Sequence, residues 1–325
     1  MNINMIHAAA ERLQDHARRT PLLSSPFLDE IAGRQVLIKP ESLQHTGSFK
    51  YRGGYSAISA LSQEQRNAGI LAFSSGNHAQ GIALAAHQHS ASAVIIMPND
   101  APGIKIKGAK ALGAEVIGYD RDGEDREEIG KNLAQERGLR LIKPYDEPEV
   151  IAGQGTTGLE IADQAKELSI ENADVIVCCG GGGLTSGVAL SLAEHAPKMA
   201  VFPAEPEGFD DVARSLAVGH HVNNKLSSGS ICDAIVTPTP GKLTFPILKD
   251  HCSKGFAVSE DEVLKAMAQA FLRLKLVIEP GGAVALATAL FRPEEISGDT
   301  VIVVASGGNV DHNVFIRALN TLREA

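Results

Sequence analysis

The chain has 325 residues, 44% of them hydrophobic and 21% charged, so it is long enough to bury the cores of two compact lobes. Its formal net charge of -9, with no basic stripe, argues against a nucleic-acid partner, because nucleic-acid affinity comes largely from clustered Lys and Arg. Segment 1–19 lacks the apolar core of a signal peptide, and no apolar run is long enough to span a bilayer. We therefore expect a cytoplasmic protein that has no membrane partner and acts on a small molecule.

Apolar, β-branched runs alternate along the chain with helical patterns. The runs that predict strands are 35–39, 93–98, 114–119, 173–179, 199–205 and 300–306. The segments that predict helices include 77–88, 103–112, 158–168, 185–195 and 260–274. Strands that are apolar throughout and separated by helices are typical of parallel sheets covered on both faces. The fold class predicted from this order is α/β.

The alternating pattern pauses at 144–156, a segment rich in Pro, Gly and acidic residues. Such a segment suits a crossing between two lobes, each with its own open sheet. We expect a small, mobile domain over 51–150 that closes on the substrate. A large cofactor-binding domain would then combine 1–50 with 151–325. Lys50 would lie at the cleft between them, a common place for small-molecule sites.

Four cysteines occur, and none forms a CxxC pair. They are Cys178, Cys179, Cys232 and Cys252. Adjacent cysteines in a strand point to opposite faces, which favours packed thiols over a disulfide or a metal pair. A reducing cytosol fits this pattern best.

Lys50 is the candidate nucleophile. It follows Gly47, Ser48 and Phe49, and this setting differs from that of an ordinary solvated lysine. Burial or a cationic neighbour lowers the pKa of an amine and makes it a nucleophile toward carbonyl groups. Phe49 and Arg52 could supply these two effects. The alternative is a lysine that snorkels at a domain surface.

Gly180 to Gly183 follow a predicted strand directly and precede a predicted helix. Glycines at such a junction let main-chain amides approach an anion at the helix N-terminus, which favours a phosphate site. A tight turn without a ligand is the alternative. The order of an ATP P-loop is absent, and the GxGxxG spacing of a dinucleotide site is not clear.

Two further strand ends carry polar groups. Near its start, segment 73–86 contains Ser74, Ser75, Gly76, Asn77 and His78, which suit a substrate carboxylate at a helix N-terminus. Simple capping by Ser75 or Asn77 is the alternative reading. Segment 305–311 offers the Ser306 hydroxyl, although a turn alone would explain its glycines. Because open α/β sheets bind ligands at the carboxyl ends of strands, these loops and the lysine indicate a site for a small anionic carbonyl compound.

In these motifs the chain resembles the fold-type II pyridoxal-phosphate enzymes, the group of threonine dehydratase, serine dehydratase and serine racemase. The motifs follow the family's order, and the resemblance spans residues 5 to 315. It implies two open parallel-type sheet domains with pyridoxal 5'-phosphate in the cleft between them. The implied cofactor-binding residues are Lys50 at the aldehyde, Phe49 at the ring, Asn77 at the phenolic oxygen, the amides of Gly180, Gly181, Gly182, Gly183 and Leu184 at the phosphate, and Ser306 at the pyridine nitrogen.

The resemblance also implies an activity. A dehydratase of this family converts a β-hydroxy amino acid, such as L-threonine, L-serine or 3-hydroxyaspartate, to a 2-oxo acid and ammonia, and Lys50 would take the α-proton. Ser75 matches a second base on the opposite face of the substrate in serine racemases and 3-hydroxyaspartate dehydratases, so a racemase side activity is expected. Serine racemase, a catabolic dehydratase such as one for hydroxyectoine use, and a cofactor-binding protein without turnover are the open alternatives.

Three more expectations depend on the resemblance. Glu205, Asp211 and the carbonyl of Phe209 resemble a site for Mg²⁺, Ca²⁺ or Mn²⁺, against the alternative of a solvated acidic loop. Arg126 lies where serine racemases carry an arginine near the substrate carboxylate, against the alternative of a surface arginine. Relatives usually dimerise, so a homodimer is expected. Relatives commonly have Asp-Gly where this chain has Asp233-Ala234, so the identity of the substrate stays open.

Overall fold

The computed structural model of the protein describes residues 1–74, 76–99, 101, 103–120 and 123–323. Its strands in chain order are β1 (Leu23–Ser24), β2 (Gln35–Pro40), β3 (Ile70–Phe73), β4 (Ala93–Pro98), β5 (Glu115–Tyr119), β6 (Arg140–Leu141), β7 (Asp174–Cys178), β8 (Ala200–Pro206), β9 (Phe256–Val258) and β10 (Thr300–Ala305). They form a six-stranded sheet in the order β1-β2-β10-β7-β8-β9 and a four-stranded sheet in the order β5-β4-β3-β6.

The helices of the described residues separate these strands. They are α1 (Ile3–Leu13), α2 (Pro26–Ala32), α3 (Lys50–Ser59), α4 (Gln63–Ala68), α5 (Asn77–Gln88), α6 (Gly103–Ala111), α7 (Arg126–Arg137), α8 (Pro148–Glu167), α9 (Gly183–His195), α10 (Asp211–Val218), α11 (Thr244–His251), α12 (Glu260–Leu274), α13 (Pro280–Phe291) and α14 (His312–Asn320). Short 3-10 turns occupy Glu41–Leu43, His45–Gly47, Pro293–Glu295 and Thr321–Arg323. This alternation confirms the α/β class.

Both sheets are parallel, except that β1 pairs antiparallel with β2. The central strands of the large sheet are buried on both faces: Val301 to Val304 in β10 and Val175 to Val177 in β7 have no exposed surface. This burial explains why their sequences are apolar throughout. The six predicted strands match β2, β4, β5, β7, β8 and β10, whereas β1, β3, β6 and β9, each of two to four residues, were not among the predicted runs.

Helix α8 corrects the interpretation of segment 144–156. Pro148 is the first residue of α8, so most of the segment is helical rather than a pause in the pattern. Its glycines allow close packing of helices: a Cβ at Gly153 would collide with the main-chain oxygen of Arg52 in α3, and one at Gly155 would lie 3.0 Å from the oxygen of Gly187 in α9. Here glycine is required for close contact between α8 and its two neighbouring helices.

The four cysteines are free and buried, in agreement with packed thiols. Among the described residues, no helix combines the length and the hydropathy needed to cross a membrane.

Candidate active site

A cleft lies at the carboxyl ends of β3, β7 and β10. It brings together the predicted cofactor and substrate residues that the structure describes: Phe49, Lys50, Ser74, Asn77, His78, Arg126, Gly180, Gly181, Gly182, Gly183, Leu184 and Ser306. Ser75, the predicted second base, lies outside the described residues. Three strand ends thus converge on one lysine, as parallel sheets allow.

Lys50 is the first residue of α3 and is partly buried at the floor of this cleft. Its Nζ donates a hydrogen bond to the main-chain oxygen of Pro144 at 2.7 Å and lies 5.0 Å from the centre of the Phe49 ring. Desolvation lowers the pKa of Lys50 to about 8, although the nearby Glu279 carboxylate acts in the opposite direction. At pH 7 about one amine in ten is then neutral, and it is available as a nucleophile or a base.

Arg52 does not act on Lys50 as expected from the sequence. Its guanidinium donates to Glu41 Oε2 at 2.8 Å and to Glu160 Oε1 at 2.7 Å, and Lys39 Nζ joins the same cluster through Glu160 Oε2 at 2.6 Å. Only burial lowers the pKa of Lys50, so the prediction that Arg52 contributes was wrong. Arg52 instead fixes α3 against α8 through a buried ion-pair cluster.

The glycine loop connects β7 to α9. A Cβ at Gly180 would lie 2.8 Å from the oxygen of Ile235, one at Gly181 would collide with the ring of Tyr145, and Gly182 has a φ of 92° that favours glycine. No side chain of the described residues caps the first turn of α9, so its amides stay available to an anion. The loop therefore fits a phosphate group better than it fits an ordinary turn.

Ser74, directly after β3, is held by two hydrogen bonds. Ser74 donates its main-chain N–H to the oxygen of Ile96 at 3.0 Å, and its hydroxyl accepts from the N–H of Gly76 at 3.1 Å. Among the described residues, no side chain caps α5, because the N-cap residue is Gly76 and the Asn77 side chain is bonded elsewhere. The alternative that Asn77 caps this helix is therefore wrong.

Glu279, which was not predicted from the sequence, holds the amide of Asn77. Asn77 Nδ2 donates to Glu279 Oε1 at 2.5 Å, and Asn77 Oδ1 accepts from Asn309 Nδ2 at 2.8 Å. Burial raises the pKa of Glu279 to about 7, although the Asn77 bond and the Lys105 charge oppose the change. The available sequence signal was a carboxylate placed directly before the apolar helix α13.

His78 lines the cleft as a neutral side chain. Its Nε2 lies 3.2 Å from the oxygen of Ile142, and its buried Nδ1 has no partner among the described residues. Burial and the charge of Lys50 lower the pKa of His78 to about 3. His78 can therefore hydrogen-bond a substrate, but it brings no positive charge to a carboxylate at neutral pH.

Two cationic side chains reach the cleft from α6 and α7. The guanidinium of Arg126 lies 5.2 Å from the centre of the Phe73 ring and lines the cleft, although the residue is exposed. Lys105, not predicted from the sequence, pairs its Nζ with Asp233 Oδ2 at 3.1 Å. The Lys105 side chain is 11% exposed and that of Asp233 is 56% exposed, so the lysine is the deeper partner.

Ser306 follows β10 directly and is 3% exposed. Its main-chain oxygen accepts from the N–H of Phe49 at 3.1 Å, which fixes this strand end beside Lys50. Its hydroxyl is a neutral partner for a ligand at this wall of the cleft.

The predicted metal residues lie outside the cleft lining. Glu205 Oε1 and Oε2 accept from the N–H groups of Val212 and Ala213 at 3.1 and 2.8 Å. Asp211 Oδ1 accepts from Asn224 Nδ2 at 2.6 Å, whereas its buried Oδ2 has no partner in the described part of the chain. Burial and the neighbouring Asp211 raise the pKa of Glu205.

Both acidic side chains are fully buried, so the alternative of a solvated acidic loop is wrong. Phe209 is also buried and lies between them in the chain. Across the residues that the structure describes, no three His, Cys, Asp or Glu side chains form a metal-binding group. A cation at this place would depend on two carboxylates and on main-chain oxygen.

Residues 13–307 match the protein family described as pyridoxal-phosphate dependent enzyme. The chain is 43% identical over 303 residues to the L-threo-3-hydroxyaspartate ammonia-lyase of Pseudomonas sp, with 93% of each chain covered. It is 39% identical to the serine racemase of Schizosaccharomyces pombe, covering 94% of this chain and 93% of that relative. The crystal structure of a threonine deaminase from T.th. superposes with a TM-score of 0.90 at 41% identity, covering 96% of this chain and 99% of that one.

Proposed function

The chain belongs to the family of pyridoxal-phosphate-dependent enzymes, and from this premise we propose that it is an ammonia-lyase that converts a β-hydroxy amino acid to a 2-oxo acid and ammonia. The observation that carries the proposal is the position of Lys50, an amine of lowered pKa, in one cleft with the glycine loop and the loop before α5. We propose 3-hydroxyaspartate as the preferred substrate, with L-serine and L-threonine as weaker ones.

The residues of the cleft fit pyridoxal 5'-phosphate. Main-chain amides from Gly180 to Leu184 would hold the phosphate, and a side chain would not fit at Gly183, where a Cβ would lie 2.7 Å from Gln154 Oε1. Lys50 would bind the aldehyde carbon, with Phe49 beside the ring and Asn77 at the phenolic oxygen. When bound, the group supplies an electron sink for the electrons of the broken Cα–H bond.

Lys50 carries the proton transfer. Its lowered pKa leaves part of the amine neutral, so Nζ can accept the α-proton of the substrate near neutral pH. Ser306 would present a hydroxyl rather than a carboxylate to the ring nitrogen of the bound group, and a neutral partner would not force protonation there. This neutral partner would favour elimination of the β-hydroxyl over transamination.

The substrate preference is supported by charge. The α-carboxylate would meet the loop of Ser74 and Asn77, with His78 as a neutral hydrogen-bonding partner. The second carboxylate of 3-hydroxyaspartate would form an ion pair with Lys105 and displace Asp233, the more exposed partner of that lysine. Arg126 would add a second positive charge at this side of the cleft. The similarity to a 3-hydroxyaspartate ammonia-lyase supports the same choice.

A substrate panel tests the proposal. Purified enzyme with added pyridoxal 5'-phosphate is given the threo and erythro forms of 3-hydroxyaspartate, L-serine, D-serine and L-threonine, and ammonia and 2-oxo acid are measured. Equal amounts of both products, fastest from a 3-hydroxyaspartate, support the proposal. No product from any β-hydroxy amino acid would favour a cofactor-binding protein without turnover.

We propose racemisation as a secondary activity, because the chain is similar to a serine racemase as well as to ammonia-lyases. The proposed second base is Ser75. A Ser75→Ala variant should exchange the α-proton of D-serine more slowly than the wild type. Equal exchange rates in the two proteins would exclude this role.

We also propose that Glu205, Asp211 and the carbonyl of Phe209 bind a divalent cation. The unpartnered Asp211 Oδ2 and the buried position of both carboxylates support the proposal, because hard cations such as Mg²⁺, Ca²⁺ or Mn²⁺ prefer oxygen ligands. Asn224, which bonds Asp211, also donates to the oxygen of Thr237 at 2.8 Å. Thr237 lines the cleft, so a bound cation would stabilise one of its walls.

A homodimer is proposed on the basis of one exposed surface. Helix α12 packs against α2 and α14. These three helices carry exposed large apolar side chains: Phe27, Ile31, Phe271, Leu272 and Ile316. Exposed apolar side chains that lie together often mark protein contacts. Sedimentation at the mass of a single chain would contradict the proposal.

We further propose a cytoplasmic location. The four cysteines are free and buried, and proteins of reducing compartments keep their thiols in this form. Fractionation of the source cells tests this location, and recovery of the protein outside the cytoplasm would contradict it.

A further inference from the structure

Gln154 in α8 is a buried amide without hydrogen bonds. It has no exposed surface, and neither Oε1 nor Nε2 has a partner among the described residues. Buried polar groups in folded proteins are nearly always bonded, so an unpaired amide needs an explanation. Gln164, further along the same helix, follows the rule: its Oε1 accepts from Lys39 Nζ at 2.9 Å, and its Nε2 donates to the oxygen of Thr20 at 2.8 Å.

The amide of Gln154 lies between the glycine loop and the helix of the candidate lysine. A Cβ at Gly183, the first residue of α9, would be 2.7 Å from its Oε1. A Cβ at Gly53, three residues after Lys50, would be 3.0 Å from its Nε2. Gln154 also lines the cleft. Its unpaired polar atoms therefore stand beside the amides that would hold the cofactor phosphate.

The chemistry of the amide suits a phosphate. A phosphate dianion only accepts hydrogen bonds, and a primary amide carries two N–H donors. Because no described residue holds either end of the amide, a half turn about its last torsion can bring Nε2 to the side of Gly183. Hydrogen bonds to a charged acceptor are shorter and stronger than hydrogen bonds between neutral groups. Such a bond would therefore compensate the free-energy cost of burying the amide.

We propose that Gln154 Nε2 donates a hydrogen bond to the phosphate of the bound cofactor and completes the phosphate site from the side of α8. This inference depends on the proposed function only in that the cleft binds pyridoxal 5'-phosphate. It adds a side-chain donor from α8 to a site otherwise formed by the main chain at the start of α9.

The test compares equilibrium binding of two ligands to the apoprotein, followed by absorbance. Gln154→Leu should weaken the binding of pyridoxal 5'-phosphate by about tenfold to a hundredfold, the effect of one hydrogen bond to a charged group. It should leave the binding of pyridoxal, which lacks the phosphate, unchanged. Gln154→Glu should weaken the phosphorylated ligand further, because it places a carboxylate beside the phosphate.

Thr157→Val is the matched control. Thr157 lies on the same helix, has no exposed surface, and its Oγ1 is also buried without a partner among the described residues, but it is absent from the cleft lining. This variant should bind both ligands like the wild type. The thermal unfolding midpoint of each apoprotein shows that the variants are folded, and removal of an unpaired amide should not lower it.

Unchanged binding of pyridoxal 5'-phosphate by Gln154→Leu would overturn the inference, and so would an equal loss for both ligands. These outcomes differ from failure of the proposed function, in which wild-type protein would bind neither ligand or would bind the cofactor without forming product. The ³¹P resonance of the bound phosphate gives a second measurement. It should shift between wild type and Gln154→Leu, and an identical resonance would contradict the contact.

Discussion

Asn77 Nδ2 donates a hydrogen bond to Glu279 Oε1 at 2.5 Å and so joins the start of α5 to the residue before α13. Asn309 holds the other end of the same amide. With both ends fixed, one Nδ2 hydrogen of Asn77 remains for a ligand, and its direction is set before the ligand arrives. Glu279 is therefore a positioning residue for the proposed contact between Asn77 and the cofactor.

The burial of Glu279 predicts a pH-dependent stability of the apoprotein. Burial raises the pKa of Glu279 from 4.5 to about 7 with Lys50, Lys105 and Asp233 as its charged neighbours. The folded state therefore keeps a proton that the unfolded chain releases, and this contribution to stability is present below pH 4.5 and lost as the pH rises through 7. The slope between these values is about 1.4 kcal/mol per pH unit.

Glu279→Gln should remove that part of the pH dependence. We expect the free energy of unfolding in urea, measured from pH 5 to pH 8, to change less with pH in the variant than in the wild type. Identical pH profiles for the two proteins would show that Glu279 is ionised throughout this range.

Arg52 should be required for the stability of the helix that carries Lys50. It is 1% exposed and pairs with Glu41, which has no exposed surface. Replacement by methionine leaves that buried carboxylate without its ion-pair partner, although Thr20 Oγ1 still donates to it at 2.7 Å, and should cost about 3–5 kcal/mol in the free energy of unfolding. Urea unfolding of the Arg52→Met and Arg19→Met apoproteins checks this, since the Arg19–Glu167 pair is exposed. A loss of equal size in both variants would contradict it.

Lys105 should determine the preference for a substrate with two carboxylates. Lys105→Met removes the proposed partner of the second carboxylate, so KM for 3-hydroxyaspartate should rise by about tenfold to a hundredfold. KM for L-serine should change little. Lys107→Met, an exposed lysine on the same helix, is the control and should match the wild type. Equal changes for both substrates in Lys105→Met would exclude a role in specificity.

The proposed cation site predicts a thermal response. After chelation, added Mg²⁺ should raise the unfolding temperature of the wild type, because it binds the folded form only. Asp211→Asn should abolish this rise, since it removes a carboxylate whose Oδ2 has no other described partner. A flat response of the wild type to Mg²⁺, Ca²⁺ and Mn²⁺ would contradict the site.

The sequence was informative where a local pattern determines the structure. Strand β10 is apolar throughout because it is buried on both faces, and the glycine run before α9 marks a place where side chains do not fit. Lys50 could be singled out because Gly47, Ser48 and Phe49 directly precede it in the sequence. The two-residue strands β1 and β6 carry no such pattern, and the glycines of α8 looked like a break although they serve close helix packing.

The features that sequence reasoning missed depend on contacts between distant segments. Glu279 has a role in the site because it and Asn309 both hydrogen-bond the side-chain amide of Asn77. The three residues lie far apart in the sequence, so no local spacing indicates these contacts. Gln154 is significant only because its amide lacks, among the described residues, the partners that Gln164 has. Arg52 was expected to act on its neighbour Lys50, whereas the helix directs its side chain to Glu41 and Glu160.

The most direct test of the proposed chemistry compares wild type with Lys50→Ala on L-threo-3-hydroxyaspartate in the presence of pyridoxal 5'-phosphate. Ammonia and 2-oxo acid are measured together, and circular dichroism confirms that the variant is folded. The wild type should release both products in equal amounts, and Lys50→Ala should be slower by at least about a thousandfold, since it lacks the group that takes the α-proton. A variant that keeps a rate within about tenfold of the wild type would contradict the role of Lys50.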